Sequence, residues 1–276
     1  MIVFTCCDTF DDMMTCIYDA WAARLGHSNI RLQTEPIGNF ELFCEYRHID
    51  ADKEKVKKVI RSIQNKICPQ AFYDVYTASL SYESNKLDII YRFLIVGFLY
   101  QKQVIQMLGN PAVAALFELK RKVTNEAHQF REFVRFSRLN ENILLSVIEP
   151  KCNVLTLLAP HFEDRMPSEN WMIIDKNHMI ALIHPLEQKS FLSPLTKEEL
   201  SFLEIQDRTQ TCILSFGKHF FILLPLKKEK RKMPKKPYAP LVSEEYDRIS
   251  IEYFYSHIQT RGDINHERQN ISCCIL

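Results

Sequence analysis

The sequence predicts an α+β fold: a helix-rich N-terminal lobe with a small sheet, and a C-terminal lobe of antiparallel hairpins plus a terminal helix. Three observations predict it. Apolar residues recur at helical spacing through most of the first 136 positions. Short apolar runs bounded by turn residues dominate residues 143–226. Asn110-Pro111, between the two regions, is too short for a flexible linker. A chain of 276 residues is also long enough to bury a substantial core. We divide it into residues 1–110, a helix-rich lobe; 111–226, a bridging helix and hairpins; and 227–276, a basic linker and an aromatic helix.

Residues 1–6 read as a strand. Asp8 or Thr9 then caps a helix with Phe10, Met13, Met14, Ile17, Tyr18 and Trp21 on its apolar face, and Gly26 stops it. Residues 29–33 and 41–49 read as strands. Asp50 and Asp52 open a helix carrying Val56, Val59, Ile60, Ile63 and Ile67. Pro69 starts another, with Phe72, Val75, Tyr76 and Leu80. Residues 87–108 form a third, nearly apolar all round and therefore central. A long helix runs from Pro111 to Phe136, burying Val113, Leu116, Val123, Ala127, Phe130 and Val134.

In the second half, residues 143–149 pair with 154–159, and 171–174 with 179–183 across Asp175-Lys176-Asn177-His178. Thr196 caps a short helix, with Glu199 completing a capping box. Residues 212–226 suggest one more hairpin, 227–237 a basic proline-bearing segment, and 246–259 a final amphipathic helix.

Composition excludes several function classes. The formal net charge is +1, so nucleic-acid binding would need a local patch. The six glycines never cluster into a phosphate-cradling loop, and no cofactor is expected. The nine cysteines include no C-x-x-C pair, so no metal site is read from their spacing. Reduced, buried thiols and Met1 leading straight into a strand point to the cytoplasm. The apolar run at 93–100 is too short for a bilayer, and no membrane is expected. Cys273-Cys274-Ile275-Leu276 formally fits a prenylation box and is read as a chance match.

Two groups of residues carry the chemistry. Arg121, His128, Arg131 and Arg135 are spaced to share one face of the long helix, where guanidinium forks suit phosphate and Phe133 and Phe136 suit stacking on bases. The alternative is a solvated face whose arginines pair with Glu126 and Glu132. Arg165 either binds phosphate or pins the hairpins by an ion pair, and we favour the pin. Trp171 is a base platform or a core anchor, and we favour the core. The second group is His161, Asp164, Asp175 and His178, an acid/base or metal set in principle. Asp175 at a turn start is explained as readily by bonds to its own backbone. Neither a zinc-protease signature nor a nucleophile elbow accompanies them.

The pattern His128-x-Phe130-x-x-Phe133-Val134-Arg135-Phe136, then Pro160-x-Phe162-x-x-Arg165, then Asn170-Trp171-x-Ile173-x-Asp175 resembles a bacterial family of probable DNA metabolism proteins, itself a domain of unknown function. Asp8-x-Phe10-x-x-x-Met14 and Tyr18-Asp19-Ala20-Trp21 agree with it, as does the segment 246–270. The resemblance implies a partner, a radical S-adenosylmethionine protein of DNA modification or repair. Some relatives are joined to uracil-DNA glycosylase-like domains. The expectation is an accessory protein that binds DNA, its radical S-adenosylmethionine partner or both. The alternative is a hydrolase or glycosylase using residues of the 161–178 segment.

Overall fold

The computed structural model describes residues 1–38, 40–140 and 143–201. The predicted hairpin at 212–226, the basic run and the terminal aromatic helix lie outside the described residues. The fold is α+β, with two compact units. The first comprises Met1–Val134 and Glu149–Val154; the second comprises Arg135–Ile148 and the described residues from Leu155 onward.

In the first unit, β1 (Ile2–Cys6) lies between β2 (Ile30–Thr34) and β3 (Glu45–His48), all parallel. A central parallel strand is covered on both faces, which suits the run Ile-Val-Phe-Thr-Cys, four of whose residues are buried. The helix α1 (Phe10–Ala22) follows β1. Thr9 caps it, its Oγ1 accepting from the Asp12 amide at 3.2 Å. Next comes α2 (Lys53–Ser62), capped by Asp52, whose carboxylate accepts from the Glu54 amide at 2.9 Å. It runs on into a π-type turn, Ile63–Ile67. Pro69 opens α3 (Pro69–Ser79), as its missing N–H and fixed φ favour.

The apolar α4 (Lys86–Tyr100) buries Leu87, Ile90, Tyr91, Phe93 and Leu94. It stops short of the predicted Leu108 because Gln101 turns to a φ of +51° and a 3-10 segment, Gln101–Gln106, follows. A Cβ on Gly97 would stand 2.7 Å from Ile67 Cδ1, so glycine lets α4 approach the π-type turn closely. Finally α5 (Pro111–Phe133) is capped by Asn110 Oδ1, which accepts from the Ala112 amide at 3.0 Å. It ends before the predicted Phe136, because Val134 becomes extended and the chain enters the next strand.

The second unit carries a five-stranded sheet in the order β4-β5-β6-β7-β8. The strands are β4 (Ser137–Asn140), β5 (Ile143–Ile148), β6 (Asn170–Asp175), β7 (Ile180–His184) and β8 (Phe191–Pro194). The predicted β6–β7 hairpin forms, Met172 standing opposite Ile183. The predicted pairing of 143–149 with 154–159 does not. Instead β5 runs parallel to β6, Leu145 opposite Met172, and residues from 155 form the helix α6 (Leu155–Arg165). Arg165 thus ends a helix and does not sit between two hairpins. Leu155, Leu158, Ala159 and Phe162 recur at helical spacing and are all buried. A short apolar run fits a buried strand and a buried helix equally, and here its leucines and alanine go to helix. One face of the sheet packs Leu145, Met172, Ile174, Ala181 and Ile183 together. After β8 the Thr196/Glu199 capping box forms as read, with reciprocal bonds of 2.8 and 3.2 Å. No described helix is long and apolar enough to cross a membrane.

Candidate nucleic-acid interface

The candidate nucleic-acid-binding residues divide between the two units, and so do the four expected to share one helix face. Arg121, His128 and Arg131 lie on α5 in the first; Arg135, Phe136, Arg165 and Trp171 belong to the second.

On α5, Lys120 is committed to the Asp74 carboxylate at 2.5 Å, and Lys122 to Glu83 at 2.8 Å and Glu118 at 3.3 Å. Arg121 between them is exposed and has no ion-pair partner among the described residues. His128 is also exposed, but its Nε2 lies 3.2 Å from Glu132. Glu126 takes no arginine among the described residues; its carboxylate accepts from the amides of Lys151 and Cys152 at 2.7 and 3.0 Å. Arg131 departs from the expected face. At 3.6 residues per turn it lies about 80° round the helix from Arg121, four residues beyond buried Ala127 and eight beyond buried Val123. Its Nε is buried, and burial pulls the guanidinium pKa down against an opposing effect from Tyr73. Phe133, at the helix end, is 72% exposed.

In the second unit an aromatic cluster sets the geometry. Phe136 is half-buried, its ring 5.4 Å from Phe162 and 6.3 Å from Trp171, edge to face in both cases. Trp171 is 1% exposed and stacks on His184 at 4.8 Å with an interplanar angle of 4°. Its indole N–H donates to the Met166 carbonyl at 3.3 Å. It is a core anchor and offers no face to a base. The Phe136–Phe162 contact brings together the start of β4 and the end of α6, the segments that carry Arg135 and Arg165. Both arginines are exposed, and neither has an ion-pair partner among the described residues. Arg165 therefore does not act as the expected ion-pair pin there. It sits in the last turn of α6, where a cation meets the negative end of the helix dipole.

The acid/base candidates come together only in part. Asp175 is fully buried; its Oδ1 accepts from the amides of Asn177 and His178, each at 3.0 Å, and its Oδ2 lies 2.6 Å from His178 Nδ1. These side-chain contacts stay within one hairpin turn, which they hold rigid. His161 and Asp164 lie on α6, His161 with its ring edge to face against Phe162 at 5.0 Å and Asp164 exposed. The Asp175–His178 pair has the carboxylate–imidazole contact of a general base, and no contact described for either side chain supplies a nucleophile to it.

Sequence spacing did not single out Cys7, Glu35 and His48. Each lies at the carboxyl end of a different parallel strand, so only the pairing of β1 with β2 and β3 unites them.

A family model described as a domain of unknown function, DUF4130, matches residues 84–244, more than half of the chain. No curated protein matches it.

Proposed function

The chain belongs to the family described as the domain of unknown function DUF4130, and on that premise we propose that it is an accessory protein of DNA metabolism. It binds nucleic acid, a radical S-adenosylmethionine partner acting in DNA repair or modification, or both. The reaction itself belongs to the partner. One observation carries the nucleic-acid half: Arg121, Arg135 and Arg165 are exposed with no carboxylate partner among the described residues, while Lys120 and Lys122 are paired. An unpaired guanidinium is free to offer its donor fork to phosphate. The partner half is supported by the resemblance of the motifs around His128, Arg165 and Trp171.

The test is a low-salt titration of labelled single-stranded and duplex DNA with the full chain, alone and with proteins co-purified from the native cell. Arg135→Ala with Arg165→Ala should weaken binding at least tenfold. Absence of binding in every combination would remove the nucleic-acid half. Co-purification without any radical S-adenosylmethionine protein would remove the other.

The Asp175–His178 contact favours a second reading, an enzyme of the hydrolase or DNA-glycosylase type using His161, Asp164, Asp175 or His178. His178→Ala should leave any DNA turnover unchanged if the accessory reading holds. Loss of turnover with retained DNA binding would establish the enzyme.

A further inference from the structure

We propose that the carboxyl edge of the β2-β1-β3 sheet binds a divalent transition-metal ion of borderline softness, zinc being the best match, through Cys7, Glu35 and His48. This goes beyond the accessory function above, which gives the chain no ion of its own.

Topology brings the donors together. Cys7 directly follows β1, Glu35 directly follows β2, and His48 closes β3. The strands are held in register there: the Glu35 amide donates to the Cys6 carbonyl at 2.9 Å, and the Ile49 amide to the Thr5 carbonyl at 2.9 Å. The chain leaves β1 toward β2 on one side and returns as β3 on the other, so the strand order changes direction at β1. In open parallel sheets the crevice outside the carboxyl ends at such a point is where ligands bind.

The donor set is a thiol sulfur, a carboxylate oxygen and an imidazole nitrogen, all within 4.8 Å of one another. Tetrahedral zinc with bonds of about 2.0–2.3 Å sets its donors about 3.3–3.8 Å apart. Closing the difference takes about an ångström of side-chain rotation, and Cys7 and His48 are exposed enough to rotate. The contact of His48 Nδ1 with Glu35 at 2.8 Å, and of its Nε2 with Asp50 at 3.2 Å, make a sufficient surface ion pair by themselves. They do not account for the thiol beside them. Three protein donors leave a tetrahedral ion one position for water.

The test is titration of the reduced full-length chain with Co2+ and then Zn2+, read by absorption. One equivalent of cobalt should produce a near-ultraviolet thiolate charge-transfer band that zinc abolishes. Cys7→Ser should remove the band, and His48→Ala should weaken zinc at least tenfold, while Cys44→Ser changes neither. A wild-type chain with no such band, or a band that survives Cys7→Ser, overturns the site. X-ray absorption on the zinc-loaded wild type decides without any variant. One sulfur with nitrogen and oxygen ligands supports the site; several sulfurs, or none, contradict it.

Discussion

Replacing Lys120 by methionine removes the counter-ion of a carboxylate that is 1% exposed. Asp74 Oδ1 is held by Lys120 Nζ at 2.5 Å and by the Gln70 amide at 2.9 Å, and Oδ2 is buried with no hydrogen-bond partner among the described residues. Once Lys120 is gone, a single neutral amide faces a buried charge. Breaking a buried pair from one side costs about 3–5 kcal/mol. The lysine side chain is itself 21% exposed, which places this case near the lower end. With a urea slope of about 2 kcal/mol/M, the unfolding midpoint should fall by about 1.5 M. Trp21, packed against His27, Tyr91 and Phe98, reports on this unit alone in a Trp171→Phe background. Adding Asp74→Asn removes the stranded charge and should restore at least about 1 kcal/mol. A Lys120→Met chain within about 1 kcal/mol of its parent, or a double variant no more stable than the single one, would refute this account of the α3–α5 contact.

Trp171→Ala should destabilise the second unit by about 3–5 kcal/mol, seen as loss of near-ultraviolet circular dichroism at lower denaturant. Burial, and then the Glu126 hydrogen bond, push the Cys152 thiol up to about 12. An unfolded thiol releases its proton near about 8.5, so this contribution to stability is complete below that pH. It is lost as pH rises toward about 12, and Cys152→Ala should flatten the alkaline arm of a melting-temperature profile. Gly97→Ala should change stability by less than about 1 kcal/mol, since helix propensity offsets displacement of the Ile67 tip. Gly97→Leu should cost about 1–3 kcal/mol, both measured by urea unfolding.

Local signals were the legible ones. Thr9, Asp52, Pro69 and Pro111 announced their helices, because a cap or a fixed φ acts within a few residues. The turn at Asp175 and the Thr196/Glu199 box were legible for the same reason. The errors came from longer range. Nothing near residue 155 says whether its apolar run joins a sheet or lies across one, and the parallel pairing of β5 with β6 joins segments separated by a helix. At the site, helical spacing correctly left Arg121 and His128 exposed. It misplaced Arg131, because packing against the rest of the unit, not spacing, decides how wide the buried stripe becomes. Trp171 was legible as a core residue, whereas the partners that bury it, His184 above all, were not.

The most direct measurement is the salt dependence of DNA affinity for the wild type and for a chain carrying Arg121→Ala, Arg135→Ala and Arg165→Ala. Each phosphate contact adds about 0.9 to the slope of log K against log salt on duplex DNA, or about 0.7 on single strands. If the three exposed guanidiniums grip phosphates, the variant's slope should be shallower by about 2–3. Identical slopes for the two chains, with folding intact, would contradict the claim that these arginines meet a polyanion.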